Sequence, residues 1–180
     1  MEQADSAELA TGHVGGAGGV LTRLDFENED HRDAVWLVFG ADVGFTQRAE
    51  RRIPEPSDVD ELFLALPPGM PPESKHVLGW WEEKKLLGIV DLVRGYPDAS
   101  VAYIGLLQVR LEQQGCGLGE RILRSTEALA RGWPEIKRLR LAVVRGNWVA
   151  AGFWHRMGFA ETGEVVPYAR ELDTDEAVLF

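Results

Sequence analysis

The chain has 180 residues, 45% of them hydrophobic, and a net charge of −10 at neutral pH. This size and apolar content fit one domain with a sizeable core and argue against disorder. A single cysteine excludes an internal disulfide, and the sequence has no Cys/His cluster typical of a metal site.

The sequence also lacks the features of several other classes of protein. Its apolar runs fall short of the roughly 20 residues that a membrane helix requires. The amino terminus lacks the basic and apolar regions of a secretion signal, and no basic stripe interleaved with aromatic residues predicts nucleic-acid binding. We therefore expect a cytoplasmic domain with neither a membrane nor a nucleic-acid partner.

Charge is divided unevenly along the chain. Residues 110–156 contain nine basic and four acidic residues, whereas residues 20–109 contain sixteen acidic and nine basic ones. Local charge excess creates a field that attracts ligands of the opposite sign. The division suits a polyanionic ligand at the basic segment and a cationic one at the acidic segment.

The first elements follow a glycine- and alanine-rich stretch. The composition of residues 1–19 predicts a disordered leader, and one domain is expected over residues 20–180. Residues 20–24 predict the first strand. Asn28 is a typical helix cap, and the pattern after it predicts a helix that runs to Phe39 and ends at Gly40.

A second helix is predicted before a proline-rich loop. Ser57 and Asp60 have the spacing of a capping box, and an apolar run follows them. The prolines of residues 67–74 then stiffen a surface loop.

The remaining elements complete a sheet. Three apolar runs, separated by turn sequences, predict an antiparallel meander over residues 76–82, 86–94 and 100–109. A helix after a glycine-rich turn, a fifth strand at residues 139–143, a helix at 150–157 and closing strands at 159–164 and 165–172 are expected next. The predicted fold is an α/β domain with a mixed, mostly antiparallel sheet flanked by about four helices.

The glycine-rich turn has the sequence Q-G-C-G-L-G at residues 114–119 and lies between a strand and a helix. Unpaired amides at a helix start favour an anion, and glycines let it approach the backbone. A P-loop would need lysine after the last glycine, where the chain has Glu120. A dinucleotide fingerprint would need a glycine at that same position.

The turn resembles the Q-x-x-G-x-G loop of the GNAT superfamily of N-acetyltransferases. Residues 147–159 resemble its second motif, N-x-x-A-x-x-F-Y-x-x-x-G-F, at the customary distance downstream. The resemblance implies a GNAT-like fold in which the fourth and fifth strands splay around the pantetheine arm of acetyl-CoA. It implies transfer of an acetyl group to a primary amine, in a small molecule or a peptide, by direct attack within a ternary complex.

The resemblance also implies which residues hold the cofactor. Amides of the turn would bind the pyrophosphate, and the N–H of Val109 would stabilise the developing oxyanion. Asn147 and Phe153 of the second motif would contact the cofactor arm. The predicted cofactor residues are Leu107, Val109, Gln114, Gly115, Cys116, Gly117, Leu118, Gly119, Glu120, Asn147 and Phe153.

A general base is required, because an alkylamine with a pKa of about 10.4 is protonated at neutral pH. The superfamily often uses a glutamate on the fourth strand, and the matching position here is Tyr103. Strand alternation predicts that Tyr103 shares a face with Leu107 and Val109. Asp91 interrupts an apolar run, which makes it a better candidate than the glutamates at residues 82–83.

The sequence gives weaker signals for the acceptor site and for the group that protonates the leaving thiolate. By resemblance, the first two helices and the 67–74 loop form one wall of the acceptor site, which Trp80 and Trp81 are expected to border. The superfamily's usual proton donor to the thiolate is a tyrosine, but Trp154 stands there and an indole is not an acid at useful pH. Tyr168 or water is the predicted substitute.

Two alternatives to an active enzyme remain at this stage. The first is a CoA-binding module of the same fold with little or no catalytic activity. The second is an interaction domain with a chance motif, which would not bind CoA. The sequence leaves open the identity of the acceptor and the oligomeric state, including a homodimer.

Overall fold

The computed structural model describes residues 18–50, 52–167 and 176–180. The helices in this part of the chain are α1 (Glu29–Ala41), α2 (Val43–Glu50), α3 (Ser57–Leu64), α4 (Leu118–Arg131) and α5 (Trp148–Arg156). The strands are β1 (Val20–Arg23), β2 (Lys75–Glu82), β3 (Lys85–Arg94), β4 (Val101–Val109), β5 (Arg138–Val144), β6 (Val165–Pro167) and β7 (Glu176–Leu179). Short 3-10 helices at Pro72–Ser74 and Leu111–Gln113 lie in the connections.

The strands form a mixed sheet with the order β1-β2-β3-β4-β5-β7-β6. All neighbouring pairs are antiparallel except β4 and β5, which run parallel. The predicted fold class, a mostly antiparallel sheet with flanking helices, is confirmed, and the described residues contain α2 in addition to the expected helices.

The pairing between β4 and β5 covers only their first halves. It begins at Val101 and Arg138 and stops at Ile104 and Leu141, although both strands continue beyond that point. A gap therefore opens between the second halves of the two strands, as the resemblance implies.

A bulge interrupts β4 at Gly105. Asp91 of β3 pairs with Leu106, and the next residue, Leu92, pairs with Ile104, so Gly105 is the extra residue. A bulge shifts the alternation of side chains between the two faces of a sheet. Ile104 and Leu107 consequently face the same side of the sheet, although they are three positions apart.

The core has two parts, one on each face of the sheet. On the face covered by α4 and α5, the fully buried side chains include Leu118, Ile122 and Leu141. On the face covered by α1 and α3, Val35, Val38 and Ile89 are fully buried. These clusters are called the α4–α5 face and the α1–α3 face below.

The helix boundaries partly follow the predicted caps. The side chain of Asn28 accepts a hydrogen bond from the His31 amide and caps α1, as expected. Gly40 lies inside α1, however, and the helix ends at the C-cap residue Asp42. The predicted capping box at Ser57 is wrong, because Pro56 is the N-cap of α3 and Ser57 is already helical.

The ends of the chain differ most from the prediction. Residues 159–164 do not form the expected strand; β6 begins at residue 165, and β7 pairs with both β5 and β6. Residues 1–17 of the predicted leader and residues 168–172 of the last predicted strand lie outside the described part of the chain. In the part that is described, none of the helices is long and apolar enough to cross a bilayer.

Candidate active site

A cavity of about 390 Å³ lies between the second half of β4, the start of α4 and helix α5. Helix α2 closes one side of it with Phe45 and Arg48. The lining residues are Phe45, Arg48, Leu107, Val109, Gln114, Gly115, Gly117, Gly119, Glu120, Asn147, Val149, Ala150, Phe153, Trp154, Arg156 and Met157. We call this space the cofactor cavity.

The glycine-rich turn presents open backbone to this cavity. Gly115 and Gly117 have φ values of 75° and 85°, a left-handed conformation that favours glycine. A Cβ at either position would meet no atom within 4 Å. Gly117 is also the N-cap of α4 and supplies no side-chain hydrogen bond to the amides of the first turn. These amides and the helix dipole suit an anion.

The amide of Val109 points toward the same space. The Arg110 N–H donates to the carbonyl of Leu87, which makes these two a hydrogen-bonded pair of the antiparallel ladder. Such pairs alternate with non-hydrogen-bonded ones, so the next pair, Gly88 with Val109, is of the second kind. The N–H of Val109 therefore points away from β3, toward the side where β5 has separated from β4.

Side chains add positive charge to the cofactor cavity. Arg48 of α2 and Arg156 of α5 both line it, whereas Glu120 is the one carboxylate among the lining residues that the structure describes. Asn147 accepts a hydrogen bond from the Ala150 amide and thereby caps α5 at the edge of the cavity. The balance of charge suits a phosphate-bearing ligand.

All the predicted cofactor residues except Cys116 and Leu118 line this cavity. Leu118 is buried beneath the turn. Cys116 is exposed, and its thiol donates to the carbonyl of Gln113 at 2.9 Å. Trp154 is buried at the cavity wall and makes edge-on contacts with Phe153 and Phe159.

A second, smaller cavity of about 140 Å³ lies on the α1–α3 face. Phe45 lines both cavities, so they adjoin the same side chain. The lining residues are Phe39, Phe45, Thr46, Asp58, Glu61, Leu62, Ala65, Asp91, Gly105 and Leu106. Three of them are acidic, and we call this space the acidic cavity.

Asp91 is held in the acidic cavity by a buried lysine. The Nζ of Lys75 donates to Asp91 Oδ2 at 2.9 Å and to the carbonyl of Ala65, at the end of α3, at 2.6 Å. The other carboxylate oxygen, Oδ1, is buried and has no hydrogen-bond partner among the described residues. Burial raises the pKa of the Asp91 carboxyl above its ordinary value, and the Lys75 ammonium opposes that shift.

Tyr103 is not placed as strand alternation predicts. Its neighbours Ala102 and Ile104 lie on the α4–α5 face with Leu107, so Tyr103 points to the opposite face. The predicted shared face is wrong because the bulge shifts the alternation between residues 104 and 107. Tyr103 stacks edge-on against Tyr96 and lines neither of the two cavities.

Other candidates also lie away from the two cavities. Glu82 pairs with Arg121 at 3.5 Å, and Glu83 forms the β2–β3 turn with a φ of 55°. Trp80 packs on the α4–α5 face and Trp81 on the α1–α3 face, and neither lines the two cavities. Tyr168, the predicted acid, lies outside the described residues.

Several lining residues were missed from the sequence. Phe45 and Arg48 belong to α2, whose short segment gave no periodic apolar pattern and was not predicted to be helical. Arg156 is the last residue of α5 and is one of the unspecified positions of the second motif, so the motif gives no signal for it. The signal for Ala150, Trp154 and Met157 was present, because their i, i+4, i+7 spacing places them on one side of a helix.

Comparison with known proteins identifies a family. Residues 44–159 match the model of the Acetyltransferase (GNAT) family. Among curated proteins, none matches the chain. One similar solved structure is an acetyltransferase from Thermus thermophilus, with 22% identity and a TM-score of 0.67 over 91% of this chain and 96% of that one.

Two further solved structures share the fold. An acetyl transferase from Salmonella typhimurium, which modifies the N-terminal serine of a 50S ribosomal subunit protein, has 16% identity and a TM-score of 0.70 over 91% of this chain and 94% of that one. An acetyltransferase from Bacillus anthracis was solved in complex with acetyl coenzyme A. It has 16% identity and a TM-score of 0.51 over 65% of this chain and 63% of that one.

Proposed function

Because the chain belongs to the Acetyltransferase (GNAT) family, we propose that it transfers an acetyl group from acetyl-CoA to a primary amine within a ternary complex. One observation carries the proposal: an uncapped glycine turn and the outward amide of Val109 face a single cavity. The first suits a pyrophosphate and the second suits a developing oxyanion.

The residues of the cofactor cavity fit acetyl-CoA. The amides of residues 115–120 would hold the pyrophosphate, in a cradle that a side chain at Gly115 or Gly117 would fill. Arg156, together with Arg48 that is already paired with Asp42, would balance part of its charge. Asn147 and Phe153 would border the pantetheine arm. When bound, acetyl-CoA supplies an activated thioester carbonyl.

The acidic cavity is the proposed entrance of the acceptor. Asp58, Glu61 and Asp91 line it; Arg52 pairs with Asp58, and Lys75 pairs with Asp91. Neither Arg52 nor Lys75 is among the lining residues, so the lining itself is acidic and suits a cationic amine. The Asp91 side chain is 15% exposed and lines this cavity, so an ammonium or a water there could contact its carboxyl group. The acceptor class is thus a cationic amine of a small molecule or a peptide terminus.

Asp91 is the proposed general base. The acceptor must lose a proton before its nitrogen attacks the carbonyl carbon, and Asp91, directly or through one water, would take that proton. The Val109 N–H would stabilise the oxyanion while the carbon–sulfur bond breaks. The thiolate would be protonated by water or by Tyr168, since the Trp154 indole can orient a group but not act as an acid.

A thiol-release assay tests the proposed function. The protein is incubated with acetyl-CoA and a panel of polyamines, aminoglycosides, amino acids and peptides while free thiol is measured. Acceptor-dependent thiol release is the expected result. Tight CoA binding by calorimetry without turnover on any acceptor would instead favour the CoA-binding module, and failure to bind CoA would contradict both.

A further inference from the structure

A buried carboxylate connects the cofactor turn to helix α2. Asp42, the C-cap of α1, is 3% exposed and lies between these two segments. Its Oδ2 accepts a hydrogen bond from Gln114 Nε2 at 2.6 Å and from an Arg48 guanidinium nitrogen at 3.3 Å. Its Oδ1 accepts from the Phe45 amide at 3.0 Å. Asp42 itself lines neither cavity.

On the cofactor side, the contact runs through one nitrogen of Gln114. The same Nε2 that donates to Asp42 also donates to the carbonyl of Val109 at 2.9 Å. A side-chain amide nitrogen has two hydrogens, so both are used. Gln114 therefore joins the glycine turn to the end of β4, at the residue whose amide is the proposed oxyanion donor.

On the acceptor side, Asp42 holds α2 through two hydrogen bonds, one from the Phe45 amide in its first turn and one from the Arg48 side chain. Phe45 lies between the cofactor cavity and the acidic cavity, and Arg48 lines the first of them. The packing here is close, because a Cβ at Gly44 would lie 2.9 Å from Arg48 Nη1 and 3.2 Å from Asp42 Oδ1. The wall between the two cavities thus depends on contacts that converge on one carboxylate.

We propose that Asp42 is a positioning residue that holds the glycine turn and α2 in the arrangement needed for CoA binding. This inference rests on the proposed function, since it takes the first cavity to be the CoA site. A carboxylate suits the role because both of its oxygens only accept hydrogen bonds. An asparagine has the same shape, but its NH₂ group would face a donor on one side or the other.

Calorimetry with CoA tests the effect on binding. Asp42→Asn should weaken CoA affinity by about tenfold or more, the usual consequence of losing hydrogen bonds to a charged group. Val35→Ala is the matched control, because Val35 is fully buried in α1 but contacts neither cavity. It should lower stability while leaving CoA affinity unchanged. Wild-type affinity in Asp42→Asn would overturn the proposal.

A double-mutant cycle with Gln114→Leu tests whether Asp42 acts through Gln114. Residues that act through one contact give effects that do not add. The double variant should therefore bind CoA more weakly than Gln114→Leu alone, because the contacts to α2 are also lost, but by less than the two single losses combined. Fully additive losses would overturn the proposal.

Hydrogen exchange measured without CoA separates this inference from the proposed function. Amides of residues 110–117 should exchange faster in Asp42→Asn than in the wild type or Val35→Ala, because the turn loses its attachment. Equal exchange in all three proteins would overturn the positioning role. The proposed function is tested separately, by calorimetric titration of the wild-type chain with CoA. Failure of the wild-type chain to bind CoA would contradict it.

Discussion

The carboxylate of Asp91 occupies the space that a side chain at Gly105 would need, since a Cβ there would lie 2.7 Å from Asp91 Oδ2. Asp91 belongs to β3, whereas Gly105 is the bulged residue of β4. A carboxylate from the neighbouring strand therefore reaches the surface of β4, where the resembled superfamily often has a glutamate. The glycine leaves room for it.

Replacement of Asp91 by asparagine should lower kcat by about a hundredfold or more, the usual contribution of a general base. The amide keeps the shape and can still accept from Lys75, but it cannot take a proton. The measurement is thiol release at saturating acceptor, below the melting temperature of the variant. Glu82→Gln, a carboxylate outside both cavities, is the control and should keep wild-type kcat. A kcat for Asp91→Asn within about twofold of wild type would exclude the base role.

A relocated carboxylate should restore part of the activity. The double variant Asp91→Ala/Gly105→Asp moves the acid from β3 to β4 and removes the group that a Cβ at position 105 would meet. We expect its kcat to exceed that of Asp91→Ala by about tenfold, because a base within reach of the amine is what the reaction needs. Gly105→Asn in the same background is the uncharged control. Equal rates for the two double variants would argue against a transferable base.

Removal of the Lys75 charge should shift the pH profile of kcat. Activity falls at low pH when Asp91 becomes protonated, and burial has already raised the pKa of that carboxyl. Lys75 holds the pKa down through its charge and its hydrogen bond. Lys75→Met should therefore move the acid limb to higher pH, whereas Lys75→Arg should move it less. A limb that stays in place or moves to lower pH would contradict the assignment.

Gly117→Glu should abolish CoA binding, because it places a carboxylate where phosphates are expected. The positive φ of Gly117 strains any other residue, so Gly117→Ala is the matched control. A Cβ at this position meets no atom within 4 Å, and the alanine variant should fold and retain measurable affinity. Calorimetry with CoA compares the two. Equal affinities would rule out a phosphate at this turn.

His76 should make the fold sensitive to moderate acid. Burial, with smaller effects from Arg23 and Arg94, lowers the pKa of His76 to about 4, and its Nε2 has no partner among the described residues. Between about pH 6.5 and 4 the unfolded chain binds a proton that the folded chain does not, so stability falls as pH falls. His76→Phe keeps a ring against Trp133 and should lose less stability over this window. Urea unfolding of both proteins at several pH values checks this. An equal loss of stability in the wild type and His76→Phe would contradict it.

The sequence predicted the elements whose local signals are strong. The three-strand meander, the helix after the glycine turn and the Asn28 cap all depend on patterns within one segment. Helix α2 was missed because its eight residues show no clear apolar side, although Asp42, directly before it, caps its first turn by accepting from the Phe45 amide. Its attachment to the glycine turn runs through the hydrogen bond from Gln114 to Asp42, 72 residues apart, which no local pattern reveals.

The conformation of the glycine turn was predictable because it depends on main-chain geometry. Gly115 and Gly117 adopt the positive φ values that favour glycine, and the turn faces a cavity, as phosphate binding requires. The face of Tyr103 was predicted wrongly because one extra residue at Gly105 shifts the alternation. Asp91 was singled out as a charge in an apolar run, but its partner Lys75 lies sixteen residues away and could be found only in the structure.

A crystal structure with bound acetyl-CoA tests the central claim most directly. The pyrophosphate is expected within hydrogen-bond distance of the amides of residues 115–120, with the thioester carbonyl at the Val109 N–H. A cofactor bound elsewhere, or a turn closed by its own side chains, would contradict the assignment of this site.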